Sequence, residues 1–156
     1  MKRLQSEENF TRMKRYRLIN NITGWGIFAV AALTYLLTIE PTASLWDCGE
    51  FIASAYKLEI GHPPGSPVFM ILGRIFSLFA GGNQEYVAAM VNSLSALASA
   101  FTILFLFWTI THLARKILVK EEKQLTLSVI IAIMGAGVVG ALAYTFSDSF
   151  WFSAVE

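Results

Sequence analysis

The chain has 156 residues, of which 55% are hydrophobic and 15% charged, where about a quarter charged is usual in a soluble domain. That balance places it in a bilayer, and the length leaves room for three or four spanning helices with short loops but not for a large extramembrane catalytic domain. A net charge of +1 gives no reason to expect nucleic acid as a partner, and the lone Cys48 excludes an intrachain disulfide.

The first 21 residues carry Lys2, Arg3, Arg12, Lys14, Arg15 and Arg17 and precede a charge-free stretch at residues 22–39, the first expected transmembrane helix. Residues 86–111 and 125–146 are likewise free of charge and long enough to cross. The run at residues 67–80 is not. At about 1.5 Å per residue it covers roughly 21 Å of a hydrocarbon core about 30 Å thick, and it carries Arg74 near its middle. With three spans, Arg115, Lys116, Lys120 and Lys123 in the loop 112–124 share the cytoplasmic side with the basic N-terminus 1–21, as the positive-inside rule requires. A fourth span would put them outside.

The pattern therefore predicts an all-α integral membrane protein, with three transmembrane helices and two short interfacial helices, at about 45–60 and 67–80, in a first outer loop at residues 40–85. The polar leader is long and no small-x-small cleavage site follows, so residues 22–39 read as an uncleaved anchor. Gly135, Gly137 and Gly140 in the third span and Ser93, Ala96 and Ala100 in the second would let helices approach closely. The stub at residues 147–156 emerges on the outer side with Trp151 and Phe152 as interfacial anchors, and the chain reads as the N-terminal piece of a longer polytopic protein.

Seven of the 11 carboxylates, Glu40, Asp47, Glu50, Glu59, Glu85, Asp148 and Glu156, fall on the outer side in this topology. The segment SLWDCGEFIASAYKLEI alternates Cys48, Phe51, Ile52, Ala55 and Leu58 on one helical face with Asp47, Glu50, Ser54 and Lys57 on another. Asp47 and Glu50 stand three apart, which brings their Cβ atoms to about 5–6 Å on one side of a helix. Two readings stand side by side: Ser44 and Asp47 as a capping pair at the helix start, or two carboxylates forming a general base or metal site. In GHPPGSP, residues 61–67, two prolines stiffen the corner and push His62 out of the helical region. His62 is then either a hydrogen-bonded loop residue or a site group held beside the acidic helix. Arg74, among apolar neighbours, must snorkel or find an anion, for which a lipid phosphate is the obvious partner.

Taken together, WDCGEFIASAYKLEIGHPPGSPVF and FSDSFWFSAVE resemble the type-C glycosyltransferases, most closely their transmembrane protein 260-like branch, glycosyltransferase family 117, which is related to protein O-mannosyltransferases. The resemblance runs from the first span to the last residue, and WDCGEF with GHPPG is specific as a pair. It implies transfer of a sugar from a polyprenyl-phosphate donor to a protein Ser or Thr hydroxyl or a glycan acceptor. Asp47 would be the general base, Glu50 would orient the acceptor or tune Asp47, His62 and Arg74 would bind the leaving phosphate, and Glu156 would be a substrate-binding acid from the second outer loop. It admits a divalent metal without requiring one. It also implies a bacterial inner membrane protein with its active side in the periplasm. Members carry many more spans, so this stretch alone is expected to be inactive. The competing reading is a small non-catalytic membrane subunit that binds lipid or a partner protein through its interfacial helices. A transporter ranks last, since the three long spans hold no charged group.

Overall fold

The computed structural model describes residues 2–44, 47–63, 65–121 and 124–156, with side chains from residue 7 onward. Leu45 and Trp46 at the expected start of the acidic helix, Pro64 of the proline corner, Lys123, and the side chains of Lys2 and Arg3 lie outside the described residues. The chain is all-helical, with α1 Lys2–Leu37, α2 Cys48–Lys57, α3 Pro67–Ser77, α4 Val87–Leu118, α5 Leu127–Thr145 and α6 Asp148–Val155. Among the described residues there is no strand. Three helical stretches, Glu7–Leu37, Gln84–Leu118 and Leu127–Thr145, are long and apolar enough to cross a membrane. The helix at 67–77 followed by a 3₁₀ turn at Leu78–Ala80 is too short, as its length predicts.

Several boundaries differ from the sequence reading. α1 begins at Lys2 and carries the basic N-terminus without a break into the apolar stretch. Its polar half is supported by the Glu8–Arg12 pair at i, i+4 (2.6 Å) and by burial of Met13 and Tyr16. α4 likewise continues past residue 111 to Leu118, carrying Arg115 and Lys116 in its last turn, where cations favour the helix dipole. The acidic helix is confined to Cys48–Lys57, and the C-terminal stub is a helix, α6, with Asp148 in its first turn.

Two compact units make up the chain. The first comprises Met1–Ala31 and Phe101–Ser147. Its packing centres on Phe107, fully buried, whose ring meets a glycine on each neighbouring helix. A Cβ at Gly24 of α1 would stand 3.2 Å from it, and one at Gly137 of α5 would stand 2.7 Å away. Close helix approach through small residues is the usual way spans associate where lipid removes the hydrophobic drive. Gly140 meets Ile110 in the same way, whereas Gly135 faces open space and takes no part.

The second unit, Ala32–Ala100 and Asp148–Glu156, holds both short helices. Its core joins Ala80, Val87 and Val91 to Ile52, Tyr56, Phe69 and Met90. α2 stops at Leu58, whose left-handed φ of 57° turns the chain away, and α3 starts with Pro67 at its first turn, where the missing N–H costs nothing. α6 is tied to the exit of α1: Glu40 N–H donates to the Val155 carbonyl (2.9 Å), and the Trp151 indole N–H donates to Thr38 Oγ1 (2.9 Å). Buried Asn92 on α4 secures the same stretch, donating to the carbonyls of Glu40 and Thr42 at 3.0 and 3.3 Å.

Gly137→Ala should destabilise the protein by roughly 1–3 kcal/mol, because the new methyl collides with Thr111 and Phe107. Gly135→Ala should be neutral or stabilising by up to about 1 kcal/mol, as Ala is the better helix former. Thermal unfolding in detergent checks this, and equal melting temperatures for the two variants would contradict the packing.

Candidate functional site

The approach of α2 and α3 builds the site. Ala55, fully buried on α2, lies against Gly73 of α3, so closely that a Cβ on Gly73 would be 2.9 Å from the Ala55 Cβ. The corner between the helices carries the chain back alongside the first turn of α2. There the Glu50 carboxylate grips His62 twice: Oε1 accepts the His62 backbone N–H at 2.8 Å, and Oε2 meets Nδ1 at 3.0 Å. The other ring nitrogen, Nε2, faces Asp47 Oδ2 at 3.9 Å. Gly61 borders this grip, and a Cβ there would stand in ordinary contact with Glu50 Oε1 at 3.4 Å.

Asp47, Glu50 and His62 are thus brought together, and a protonated His62 offsets two neighbouring carboxylates. Asp47 is the residue immediately before α2, yet its side chain caps nothing, and the backbone there (φ −85°, ψ 4°) is not that of a usual capping residue. Ser44 Oγ, its expected capping companion, is buried and has no hydrogen-bond partner among the described residues. Asp47 remains mostly exposed and accessible as an acceptor. The His62 nitrogens point to different carboxylates, so the trio forms a chain of contacts and not a cradle. Among the described residues no group of three or more His, Cys, Asp or Glu side chains is placed to hold a metal ion.

The backbone and side-chain bonds from His62 hold the Glu50 carboxyl below its ordinary range. The bond from Glu50, its charge, and then the charge of Asp47 raise His62 above its ordinary value. The imidazole therefore keeps its proton to a higher pH than a free histidine does.

Arg74 stands apart from the trio. Its Nη1 donates to the Tyr56 carbonyl at 2.6 Å, and its guanidinium lies 5.3 Å from the centre of the Tyr56 ring. Tyr56 is in the last turn of α2, nine residues from Asp47, about 13 Å along the helix axis. Arg74 fastens the end of α2 to α3.

Glu156 lines a cleft of about 260 Å³ with Cys48, Phe51, Ile52, Ser66, Phe69, Asn92 and Ser95. Phe51 connects this cleft to the trio, packing edge-on against His62 (6.0 Å between centroids) and Phe69 (5.5 Å). The sequence reading placed Phe51 on the apolar face of α2 but did not single out Phe69, Asn92 or Ser95 as neighbours of the site. Their only signal is position on α3 and α4, which the sequence does not bring together.

A family model described as the Protein O-mannosyl-transferase TMEM260 N-terminal domain matches residues 47–156 and so includes all five candidate residues. The protein O-mannosyl-transferase tmem260 of Dictyostelium discoideum is 32% identical over 84 residues, 54% of this chain and 10% of that relative. The protein O-mannosyl-transferase TMEM260 of Mus musculus is 36% identical over 89 residues, 56% of this chain and 12% of that relative. The chain spans about a tenth of the length of these curated relatives. No solved structure matches it.

The pair's pH window follows from the two shifts. Because His62 is raised, its contribution to ordering the corner is complete below the ordinary histidine value of about 6.5 and is lost as pH rises through the raised value. Because Glu50 is lowered, its contribution is present above the ordinary glutamate value of about 4.3 and is lost as pH falls through the lowered one. NMR titration should place the His62 midpoint above that of a free histidine, and Glu50→Gln should move it down. An unchanged midpoint in Glu50→Gln would show that the pair does not form.

Proposed function

The chain belongs to the protein O-mannosyl-transferase TMEM260 N-terminal domain family, and on that premise we propose that it is the N-terminal part of a membrane glycosyltransferase. It moves a sugar from a polyprenyl-phosphate donor to a protein Ser or Thr hydroxyl or a glycan acceptor. The observation that carries this reading is the convergence of Asp47, Glu50 and His62 on one corner, with Phe51 linking them to a largely apolar cleft. A carboxylate beside a protonated imidazole suits a reaction in which one group takes a proton while another meets growing negative charge.

In the proposed step the acceptor oxygen attacks the anomeric carbon and the bond from that carbon to the phosphate oxygen breaks, the electron pair leaving with the phosphate. Asp47 takes the hydroxyl proton. The His62 Nε2–H stabilises the charge gathering on the phosphate. Glu50, committed to both His62 donors, is a positioning residue. Glu156 faces the cleft and contacts the acceptor. The guanidinium of Arg74, already bonded to the Tyr56 carbonyl, serves the α2–α3 joint, so phosphate stabilisation falls to His62 in this reading.

The proposed setting is a bacterial inner membrane, N-terminus cytoplasmic and trio periplasmic. Supporting that orientation, Arg115 lies 5.4 Å from the Tyr16 ring, which gathers the basic residues of α1 and of the α4 end at one place, as the positive-inside rule expects.

A second reading, a non-catalytic subunit, draws on the apolar side chains that α3 and the turns on either side of it leave exposed, Ile60 at 93%, Phe79 at 73% and Val68 at 70%. Replacing Asp47 by Asn in the full-length protein separates the two. The enzyme reading expects sugar transfer to fall by about 10²–10⁴-fold with expression unchanged. Undiminished transfer rules out the base role. If in addition substitution of Phe51 or Ile52 abolishes partner or lipid association, the subunit reading stands.

A further inference from the structure

In the first unit, the end of α4 and the residue after it bring His112, Arg115, Lys116 and Val119 to one side of the helix, where they line a hollow of about 310 Å³. We propose that this hollow binds the phosphate headgroup of an anionic phospholipid, independently of the sugar-transfer site, with Arg115 as its anchor.

Arg115 is held in place by its surroundings. Its guanidinium lies over the Tyr16 ring, 5.4 Å from the centre, and that ring is buried, with its hydroxyl donating to the Thr111 carbonyl at 3.4 Å. A guanidinium resting on an aromatic face keeps its in-plane N–H groups for oxygen acceptors, and their fork matches a phosphate. Among the described residues neither Arg115 nor Lys116 has a carboxylate within ion-pair distance. Both cations are thus available to an anion from outside the chain, and the first of them is already oriented.

Depth selects a lipid as the ligand. Arg115 and Lys116 are the first charged side chains after the charge-free stretch 86–111, so the hollow sits where a spanning helix meets the headgroup layer. Towards the span, Thr109, Phe105 and Phe101 continue the side of α4 that carries His112 and Lys116, and all three are exposed. Thr109 Oγ1 donates to the Phe105 carbonyl at 2.8 Å, which leaves a methyl group and two aromatic rings along this strip. A ligand that fits must therefore present an anion to Arg115 and Lys116 and an aliphatic chain to Phe105 and Phe101. A free phosphate would leave the strip unused, and a nucleic acid or acidic peptide has no aliphatic chain to lay along it. Basic pockets at the membrane surface recognise anionic headgroups by this means.

The test uses the whole chain, purified in detergent with equal phosphatidylglycerol and phosphatidylcholine, and counts retained lipids by native mass spectrometry. The unmodified protein should retain phosphatidylglycerol preferentially, and R115Q/K116Q should reduce that preference by roughly 10–30-fold. K14Q/R17Q removes the same charge outside the hollow and should leave the preference intact. Y16L keeps every charge but takes away the ring under Arg115 and should lower the preference by roughly 3–5-fold, whereas Y16F keeps the ring and should leave it unchanged. If circular dichroism shows that R115Q/K116Q or Y16L has lost its helices, K116Q alone carries the test, with a loss of roughly fivefold that K116R restores. Four results would overturn the proposal: no preference in the unmodified protein, equal losses in the two double variants, an unchanged preference in whichever of Y16L and K116Q keeps its helices, or displacement of the lipid by inorganic phosphate alone, which would mark a free-anion site.

Discussion

The contact between Ala55 and Gly73 is the constraint on which the site depends. With no side chain on Gly73, α2 and α3 approach until backbone and Cβ are in contact, and the residues between them must fold into a short corner. That corner delivers His62 to Glu50, and the same approach brings Arg74 to the Tyr56 carbonyl at the far end of α2. The two helices are thus joined at both ends, by a charged hydrogen-bonded grip at one and a guanidinium at the other. The exposed grip of Glu50 on His62 would be worth little alone, and the Arg74 bond is only half-buried. The buried apolar contact between them keeps both in register.

Much of this was legible in the residues. The shortness of 67–77, the three charge-free spans and the i, i+3 spacing of Asp47 and Glu50 follow from rise per residue and periodicity, which are local properties. Proximity of His62 to the acids was suggested only by a stiff corner and a family resemblance, since the bond that makes it crosses twelve residues of chain. The place of Arg74 was not legible, because a guanidinium in an apolar run looks the same whether it seeks a lipid or a neighbouring carbonyl. The extension of α1 was missed because hydropathy sets the edge of a span, not the edge of a helix: helix propensity and the Glu8–Arg12 pair continue past it. Gly73 escaped notice for a related reason. Small residues stood out where several recur in a long span, and a single glycine in an eleven-residue helix forms no pattern.

The second unit also shows how one polar side chain can substitute for a longer loop. Asn92 is buried on α4 and donates to two carbonyls of the stretch that follows α1, while α6 bonds the same stretch through Val155 and Trp151. Backbone groups that would otherwise need water are satisfied internally, as burial demands. Asn92 also lines the cleft beside Phe51, so the group that fixes the loop also shapes the space next to the site.

The corner is bounded by two residues other than glycine with left-handed backbones, Leu58 with φ 57° and Ser66 with φ 37°. Such conformations cost about 1 kcal/mol or more per residue, so the turn is wound against its own preference and held by the helices on either side. Glycine at either position would relieve that tension but would also enlarge the population of unfolded conformations, and the two effects oppose each other. The corner is therefore a sprung element: its rigidity comes from the clamp at its ends, and a loosening of the clamp would release the imidazole before either helix melts.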